Sequence, residues 1–340
     1  MPESKLLNGV FALLFIAPLS AQPVPALLKP TILKEKSYNE VFTINAFGDD
    51  QTFVQVQLAV TNLGIRDKNA LVKILLLHEG EKPTKGNTHY EQKDWSYTED
   101  STPTLTVGRC SFIQRSKSVE CNASLDNVNI HLIIDGQPTP LKTPHTSFGA
   151  TDGIRSQTRN SKFYEYEILL PWTRSKITVT TGQTTRTITA FTMLDHARSC
   201  GMPRDVSSGW VTFRGEKGTE FLLANFRLPP EKNATVEGWI WRNSSTAPTP
   251  CSGLTIVKNP ACASNGAAAS YTISPDNRLF TLSSNQLLFR YSFIDELGPF
   301  LGPIVQMVIG DPVTRYYSAV ATFTDKTPPI KGVLELMSIE

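Results

Sequence analysis

The sequence predicts an all-β protein built from two tandem antiparallel β-barrels. Short runs rich in Thr, Val, Ile, Phe and Tyr recur along the 340 residues, and 23 prolines and 21 glycines separate them. Such runs, divided by turn residues, are typical of all-β folds. Apolar residues make up 40% and charged residues 19% of the chain, which indicates packed cores rather than disorder. The length is sufficient for two domains.

The first residues have the pattern of a secretory signal. Residues 1–5 read MPESK, and a mostly apolar run follows and ends in small residues near Ala21. The run is shorter than the ~20 residues of a membrane span, and no later segment reaches that length. We therefore predict a signal peptide over 1–21, cleaved after Ala21 or alternatively after Ala26, and a secreted or periplasmic mature chain without a transmembrane span. A buried first strand is the other interpretation of this run.

The strand-like runs fall into two groups of similar size. In Thr52–Thr61, apolar residues alternate with polar ones, which indicates a half-buried antiparallel strand. The other runs before residue 199 are Ala70–Leu77, Cys110–Gln114, Ser118–Ala123, Val128–Ile134, Tyr164–Leu170, Lys176–Thr181 and Thr185–Met193. Those after residue 209 are Gly209–Phe213, Glu220–Arg227, Val236–Trp241, Tyr271–Ile273, Leu279–Ser283, Leu287–Phe293, Gln306–Ile309, Thr314–Phe323 and Gly332–Met337. About eight strands close a small barrel, so we place one barrel domain at 22–190 and a second at 191–340.

The cysteine spacing predicts two local disulfides in an exported protein. Cys110 and Cys121 flank one strand–turn–strand pattern, and Cys251 and Cys262 flank a second segment of the same length. Cys200 is then left over, either as a nucleophile or as an unpaired, partly buried thiol. Asn-x-Ser/Thr sequons, which matter only in a eukaryotic secretory pathway, occur at Asn122, Asn233 and Asn243.

An acid, a base and a cation follow a strand-like run directly. They are Asp195, His196 and Arg198, the candidate catalytic residues. Neighbouring residues of a strand point to opposite faces, so a direct Asp195–His196 relay is not expected. One of the two could face a ligand while the other holds the chain in place. Alternatively, Asp195 and Arg198 form a structural ion-pair cluster with Arg204 and Asp205.

Several classes of site are absent from the sequence. No serine lies in a Gly-x-Ser-x-Gly elbow, no histidine pair has metal-ligand spacing, and no Cys-x-x-Cys occurs. Neither a Gly-x-Gly-x-x-Gly loop after a strand nor a Walker-type loop is present. We therefore predict no metal and no cofactor. The net charge of +2 without a basic stripe argues against a nucleic-acid partner and is compatible with a neutral or apolar ligand.

Aromatic residues on the predicted strands of the second half are candidates for ligand contact. They are Trp210, Phe226, Trp239, Trp241, Phe289 and Tyr291. Trp239 and Trp241 are two positions apart and share a face. If that face is interior, the pair could line a cavity for a flat apolar molecule, or it could simply fill a closed barrel. If the pair points outward, a carbohydrate-binding β-sandwich is the alternative.

Several of these segments together resemble a known superfamily. They are Leu194–His196, Gly209–Phe213, Gly218–Leu223 with Arg227, Asp311–Tyr317, Gly332–Met337, and Phe148–Gly153 followed by Tyr164–Pro171. In these segments the chain resembles the lipocalin-like superfamily of the carotenoid hydratases and AttH proteins. There, an aspartate–histidine pair precedes a Gly-Trp-x-x-Phe strand and a Gly-Thr-Glu-containing hairpin. This chain departs from the pattern after His196, where Ala197-Arg198-Ser199 replaces a polar residue and tryptophan.

The resemblance implies two lipocalin-like barrels and an apolar small-molecule ligand, such as an isoprenoid, a polyene or a polyketide-like compound. Members of the superfamily include cofactor-independent enzymes of hydration and cyclisation, and also stress-protective proteins. We therefore predict an exported lipocalin-like binding protein. It either transforms its ligand by acid–base chemistry, as a hydratase, cyclase or isomerase, or is a non-catalytic carrier or stress-protective binding protein. If it is an enzyme, Asp195 or His196 is the expected proton donor.

Overall fold

A computed structural model of the chain contains two curled antiparallel sheets. It describes residues 26–35, 37–62, 67–136, 140–143, 162–231, 234–242, 247–259, 270–276, 279–296, 306, 311–325 and 327–339. Of the described residues, 71% lie in strands and 4% in helices. The first sheet forms a nearly closed barrel and the second a half-barrel, so the predicted fold class is confirmed.

Within the described residues, the first sheet has twelve strands around an apolar interior. They are β1 (Tyr38–Gly48), β2 (Phe53–Thr61), β3 (Asn69–Leu77), β4 (Thr84–Tyr90), β5 (Trp95–Thr98), β6 (Thr104–Val107), β7 (Cys110–Arg115), β8 (Ser118–Leu125), β9 (Val128–Asp135), β10 (Leu141–Lys142), β11 (Phe163–Thr181) and β12 (Thr184–Cys200), with a 3-10 turn at Gln92–Asp94. Their order is β4-β3-β2-β1-β12-β11-β9-β8-β7-β6-β5, and β10 pairs with β11. Strand alternation directs one face of each strand into the interior, where residues such as Phe42, Ile44 and Leu194 are fully buried.

A long hairpin of β11 and β12 dominates this sheet. β11 is irregular between Ile168 and Thr173, on either side of Pro171. Proline cannot donate to a ladder, so a bulge at this point lets the strand continue. β12 remains in the first sheet as far as Cys200. The change to the second sheet therefore falls between Cys200 and Gly209, later than the boundary predicted at 190/191.

In the part of the chain that the structure describes, the second sheet has nine strands and its own apolar interior. They are β13 (Gly209–Lys217), β14 (Glu220–Leu228), β15 (Glu237–Arg242), β16 (Thr249–Ser252), β17 (Leu254–Asn259), β18 (Ser270–Pro275), β19 (Phe280–Ser292), β20 (Pro312–Phe323) and β21 (Ile330–Ile339). Their order is β16-β15-β14-β13-β21-β20-β19-β18-β17. Among the described residues, α1 (Pro203–Val206) and α2 (Phe293–Glu296) are single-turn helices between strands. Val211, Phe213 and Phe226 are among the buried residues of this interior.

The outer faces of the two sheets pack against each other through a third apolar cluster. Its buried members are Phe47, Phe53, Leu75, Leu77, Tyr166, Ile168, Trp172, Phe191, Met193, Leu223, Trp239, Trp241, Tyr316 and Val333. Trp239 is 1% and Trp241 6% exposed. The two tryptophans therefore line neither the interior of the second sheet nor the solvent surface. The sugar-binding alternative required exposed tryptophans and is wrong on this point.

The segment before β1 is anchored in the first core. Leu28 is fully buried there, and the backbone amide of Leu27 donates to Gln114 Oε1 at 2.9 Å. The amide of Thr31 donates to Glu40 Oε2 at 2.8 Å. Residues 27–31 are therefore an integral part of the first barrel.

The Cys110–Cys121 disulfide predicted from the spacing is not formed. The register of β7 and β8 places Cys121 opposite Phe112, two positions along the strand from Cys110. The Cys110 thiol instead donates to the Ser124 carbonyl at 3.5 Å. Both thiols are buried, and burial raises the pKa of each, which keeps them protonated.

Some of the other cysteines and sequon asparagines lie outside the described residues. Cys262 lies outside the described residues, so its bond to the buried Cys251 remains a prediction. Cys200 is a free thiol whose pKa is raised by burial, which favours the unpaired-thiol interpretation over a nucleophile. Asn122 is on β8 and donates to Glu120 Oε1 at 3.0 Å. Asn233 and Asn243 lie outside the described residues.

Candidate functional site

A cleft of about 270 Å³ lies where the two sheets face each other. β1, β2, β11 and β12 form one wall, and β13, β14 and β21 form the other. The lining residues are Asn39, Val41, Thr43, Gln55, Gln57, Tyr164, Tyr166, Asp195, Ala197, Ser199, Gly201, Val206, Trp210, Thr212, Arg214, Asn225, Glu335 and Met337. Most of these residues lie at alternate positions of their strands, because every second residue of a strand faces the neighbouring sheet.

Asp195 is the buried acid of this cleft. It lies in the middle of β12 rather than at a strand end, and it is 3% exposed. Asn45 Nδ2 donates to its Oδ2 at 2.7 Å. Burial raises the pKa of Asp195 to about 6, although Arg214 and Tyr166 oppose the rise. A substantial fraction of this carboxyl group therefore keeps its proton in mildly acidic solution and can donate it.

A hydrogen-bond network connects this acid to the opposite wall. Gln55 Nε2 donates to Asn45 Oδ1 at 3.0 Å. The Tyr316 hydroxyl lies 3.2 Å from Gln55 Oε1 and 3.3 Å from Glu335 Oε1. Arg214 Nη1 donates to Glu335 Oε2 at 2.8 Å. The network holds the two walls in register and fixes the orientation of the Asn45 amide beneath the acid.

His196 faces away from the cleft, as strand alternation predicts. Its Nε2 lies 2.8 Å from Glu40 Oε1 and its Nδ1 3.0 Å from Glu167 Oε1. The ring stacks on Phe42 with centroids 4.3 Å apart and is 5% exposed. Burial lowers the pKa of His196, but the hydrogen bonds to Glu167 and Glu40 outweigh it, and the pKa is raised overall. The charged ring can donate to both carboxylates at once, an arrangement that braces three strands.

Arg198 is also outside the cleft. Its guanidinium pairs with Glu165 and donates to Thr31 Oγ1 at 2.9 Å. Asp205, predicted as a partner of Arg198, pairs instead with Lys162 at 3.2 Å. The suggested single ion-pair cluster of Asp195, Arg198, Arg204 and Asp205 is therefore wrong, because alternation along β12 places Asp195 and Arg198 on opposite faces.

The candidate aromatic residues occupy different places. Trp210 lines the cleft beside Tyr164, with ring centroids 5.7 Å apart. Trp239 packs at 6.0 Å from Tyr166, behind the cleft wall. Phe289 stacks on Tyr316 at 6.2 Å. The others are remote from the cleft: Phe226 in the second interior, Trp241 against Phe221, and Tyr291 accepting from Asn87 Nδ2 at 3.1 Å.

Sequence reasoning missed most of the polar residues that surround Asp195. Tyr164, Tyr166, Arg214, Asn225 and Glu335 all line the cleft. A signal was present, because each is a polar or amphipathic side chain at alternate positions of a strand whose other face is apolar. Such a pattern indicates a second buried face, but it does not identify the element that covers it.

Within the described parts of the chain, no group of three or more His, Cys, Asp or Glu side chains is arranged to hold a metal ion. The same residues include no helix with the length and apolarity required to cross a membrane.

A second buried carboxyl lies further along the interface. Glu216 on β13 is 7% exposed and faces Asp49 of the first sheet. Burial raises the pKa of Glu216 to about 8, and the hydrogen bond with Asp49 adds to the rise. Arg174 pairs with Asp49 at 3.0 Å and opposes it. Near neutral pH, protonated Glu216 can donate to the Asp49 carboxylate and connect the two sheets.

The Glu216–Asp49 contact predicts that the stability of the protein depends on pH. Glu216→Gln should remove this dependence. The folded state holds the Glu216 proton up to about pH 8, whereas the unfolded chain releases it near its usual value, so the wild-type unfolding free energy should fall as pH rises through this window. We expect the wild-type unfolding free energy to fall by about 1–2 kcal/mol, since Asp49 is solvent-exposed and its charge is screened. Urea melts between about pH 6.5 and 8.5 measure the difference between wild type and variant. Parallel profiles for the two proteins would contradict the assignment, and Glu220→Gln, at an exposed position, is the matched control.

Solved structures share this architecture. A protein provisionally assigned as AttH from Nitrosomonas europaea matches with a TM-score of 0.62 at 11% identity, over 96% of this chain and 99% of that one. Kievitone hydratase from Nectria haematococca matches with a TM-score of 0.58 at 12% identity, over 93% and 92%. CghA matches with a TM-score of 0.58 at 10% identity, over 90% and 88%. These similarities confirm the tandem lipocalin-like fold that the sequence resemblance implied.

No family model and no curated protein sequence matches the chain significantly.

Proposed function

We propose that the cleft between the sheets binds an apolar small molecule and that Asp195 protonates it without a cofactor. The observation that carries this proposal is the buried carboxyl group on the cleft wall, whose pKa is raised to about 6. An acid is most effective when its pKa lies near the working pH. The reaction class is hydration, cyclisation or isomerisation of an alkene.

The chemistry follows from one proton transfer. The Asp195 hydroxyl gives its proton to one carbon of a double bond, and the electron pair of that bond forms the new C–H bond. The carbocation on the other carbon has three fates: it adds water and loses a proton, or it loses a proton at a different carbon, or a second double bond of the ligand attacks it. In the last case the attack closes a ring and leaves a new carbocation, which in turn loses a proton or adds water and loses a proton. Arg214, which stabilises the ionised form of Asp195, favours the carboxylate left after the transfer. The carboxylate recovers its proton from the released one, so the cycle is closed.

The structural neighbours support an enzyme of this kind. One of them is named as a hydratase, and it matches this chain over nearly its whole length. The aromatic rings of Trp210, Tyr164 and Tyr166 give the cleft flat apolar walls, which suit an unsaturated skeleton.

A non-catalytic carrier is the second candidate. It is favoured by the small exposure of Asp195, whose carboxylate already accepts a hydrogen bond from Asn45. In a carrier, the same cleft would hold the ligand, and Asp195 would only fix the wall.

Analysis of the reaction products separates the two candidates. Native mass spectrometry of protein purified from its own host identifies a co-purifying compound, and chromatography with mass detection follows host extract incubated with wild type or Asp195→Asn. Gain of one water indicates hydration, and an isomer of equal mass indicates cyclisation or isomerisation. A bound compound that both proteins leave unchanged would support the carrier and contradict catalysis.

We also propose export with cleavage after Ala21. This site leaves the anchored residues 27–31 away from the new terminus. Cleavage after Ala26 would place a charged amine at Leu27, which is 8% exposed and hydrogen-bonded to Gln114. Intact mass of exported protein tests this proposal, and a mature chain that begins at Leu27 would contradict it.

A further inference from the structure

The side-chain oxygen of Asn225 lacks a hydrogen-bond partner within the part of the chain that the structure describes. Asn225 lies in the middle of β14, lines the cleft and is 5% exposed. Its Oδ1 is buried and accepts no hydrogen bond from the described residues. A buried polar atom without a partner is costly and uncommon, and it calls for an explanation. A ligand group that donates a hydrogen bond supplies one.

Arg214 presents a complementary donor on the same wall. Its Nη1 is engaged by Glu335, but its Nε–H has no partner among the described residues, and the side chain is 6% exposed. In the β13–β14 register Asn225 pairs with Thr212, two positions from Arg214. Asn225 and Arg214 are therefore diagonal neighbours on one face, roughly 7–8 Å apart at their backbones. Both line the same cleft.

A hydroxyl group satisfies both atoms. Its oxygen accepts from Arg214 Nε–H, and its hydrogen is donated to Asn225 Oδ1. An ether or ketone can only accept, and a hydrocarbon satisfies neither atom. The positive charge of Arg214 is already compensated by Glu335, which favours a neutral group over a phosphate or carboxylate.

We propose that the ligand is an apolar molecule with a phenolic, enolic or alcoholic hydroxyl, seated between Asn225 and Arg214. Its unsaturated part then faces Asp195 on the opposite wall. This inference rests on the proposed function of the cleft, and it excludes a pure hydrocarbon polyene as the natural ligand. Asn225 is the specificity-determining residue.

Three naphthalene probes that differ in one substituent test the inference. 2-Naphthol donates and accepts, 2-methoxynaphthalene only accepts, and 2-methylnaphthalene does neither. We expect wild-type protein to bind 2-naphthol about tenfold or more tightly than 2-methylnaphthalene, with 2-methoxynaphthalene between them, in calorimetric titrations. In Asn225→Leu the advantage of 2-naphthol over 2-methoxynaphthalene should disappear. The ligand-free variant should melt at or above the wild-type temperature, because the unpaired amide oxygen is removed and an apolar side chain of similar size takes its place. Asn129→Leu, the same change at an exposed position of β9, should keep the wild-type order.

Three results would contradict the proposal, each in a different part. If wild type binds the three probes equally, the hydroxyl inference is wrong while the cleft remains the ligand site. If Asn225→Leu keeps the full preference for 2-naphthol, the assignment to Asn225 is wrong. If wild type binds none of them, both this inference and the proposed binding function of the cleft are contradicted.

Discussion

Replacing His196 with alanine should lower the unfolding free energy by about 3–5 kcal/mol, because a buried charge cluster loses its central member. Glu40, fully buried, and Glu167 would be left as neighbouring carboxylates without the ring between them. The stacking partner Phe42 would also face a cavity. Since small domains are stable by only about 5–15 kcal/mol, the loss should be visible as a large drop in melting temperature.

The stabilising contribution of His196 should depend on pH. The folded pKa of His196 is raised, so its contribution is fully present below the unfolded value of about 6.5 and is lost as pH rises through the folded pKa. The gap between wild type and His196→Ala in chemical denaturation should therefore narrow in alkaline solution. His131→Ala, at an exposed histidine of the same sheet, should change stability by less than about 0.5 kcal/mol. A His196→Ala melt close to that of the control would show that the cluster does not brace the barrel.

Replacing Asp195 with asparagine should lower turnover by about 10²–10⁴-fold, the usual contribution of a general acid. Asparagine has the same shape and can still accept from Asn45 Nδ2, but it has no acidic proton. The same substitution should not lower stability. Above about pH 6 the ionised wild-type carboxylate carries a desolvation cost that the amide lacks, so the variant should be as stable as wild type near pH 5 and more stable by about 1–3 kcal/mol near pH 8.

Product formation is followed by mass detection, and stability by urea melts at both pH values. Together the two measurements distinguish a catalytic Asp195 from one that only stabilises the cleft wall. Wild-type turnover should also decline as pH rises through about 6, because only the protonated carboxyl donates. Asp135→Asn, at the exposed end of β9, is the matched control and should change neither property. A destabilised Asp195→Asn variant with undiminished turnover would assign Asp195 to the structure of the wall instead.

Much of the fold could be predicted from the sequence, because strand periodicity and turn residues are local signals. The opposite directions of Asp195 and His196 also follow from periodicity alone. Strand length could not be predicted from these local signals. The chain passes Pro171 within β11 and the predicted boundary within β12, since tertiary pairing keeps both strands in one sheet.

The position of the site could not be predicted in the same way. Trp239 and Trp241 do share a face, as expected, but that face is covered by the first sheet, and the sequence does not say which surfaces meet. Cys110 and Cys121 illustrate the same limit, because the β7–β8 register leaves them two positions away from directly opposite, and spacing alone does not determine that register.

The most direct test of the central claim is a crystal structure of the wild-type protein soaked with 2-naphthol. We expect the aromatic rings of the probe between the two sheets beside Trp210, with its hydroxyl within hydrogen-bonding distance of Asn225 and its ring system facing Asp195. A probe bound inside either barrel, with the cleft between the sheets left unoccupied, would contradict the account.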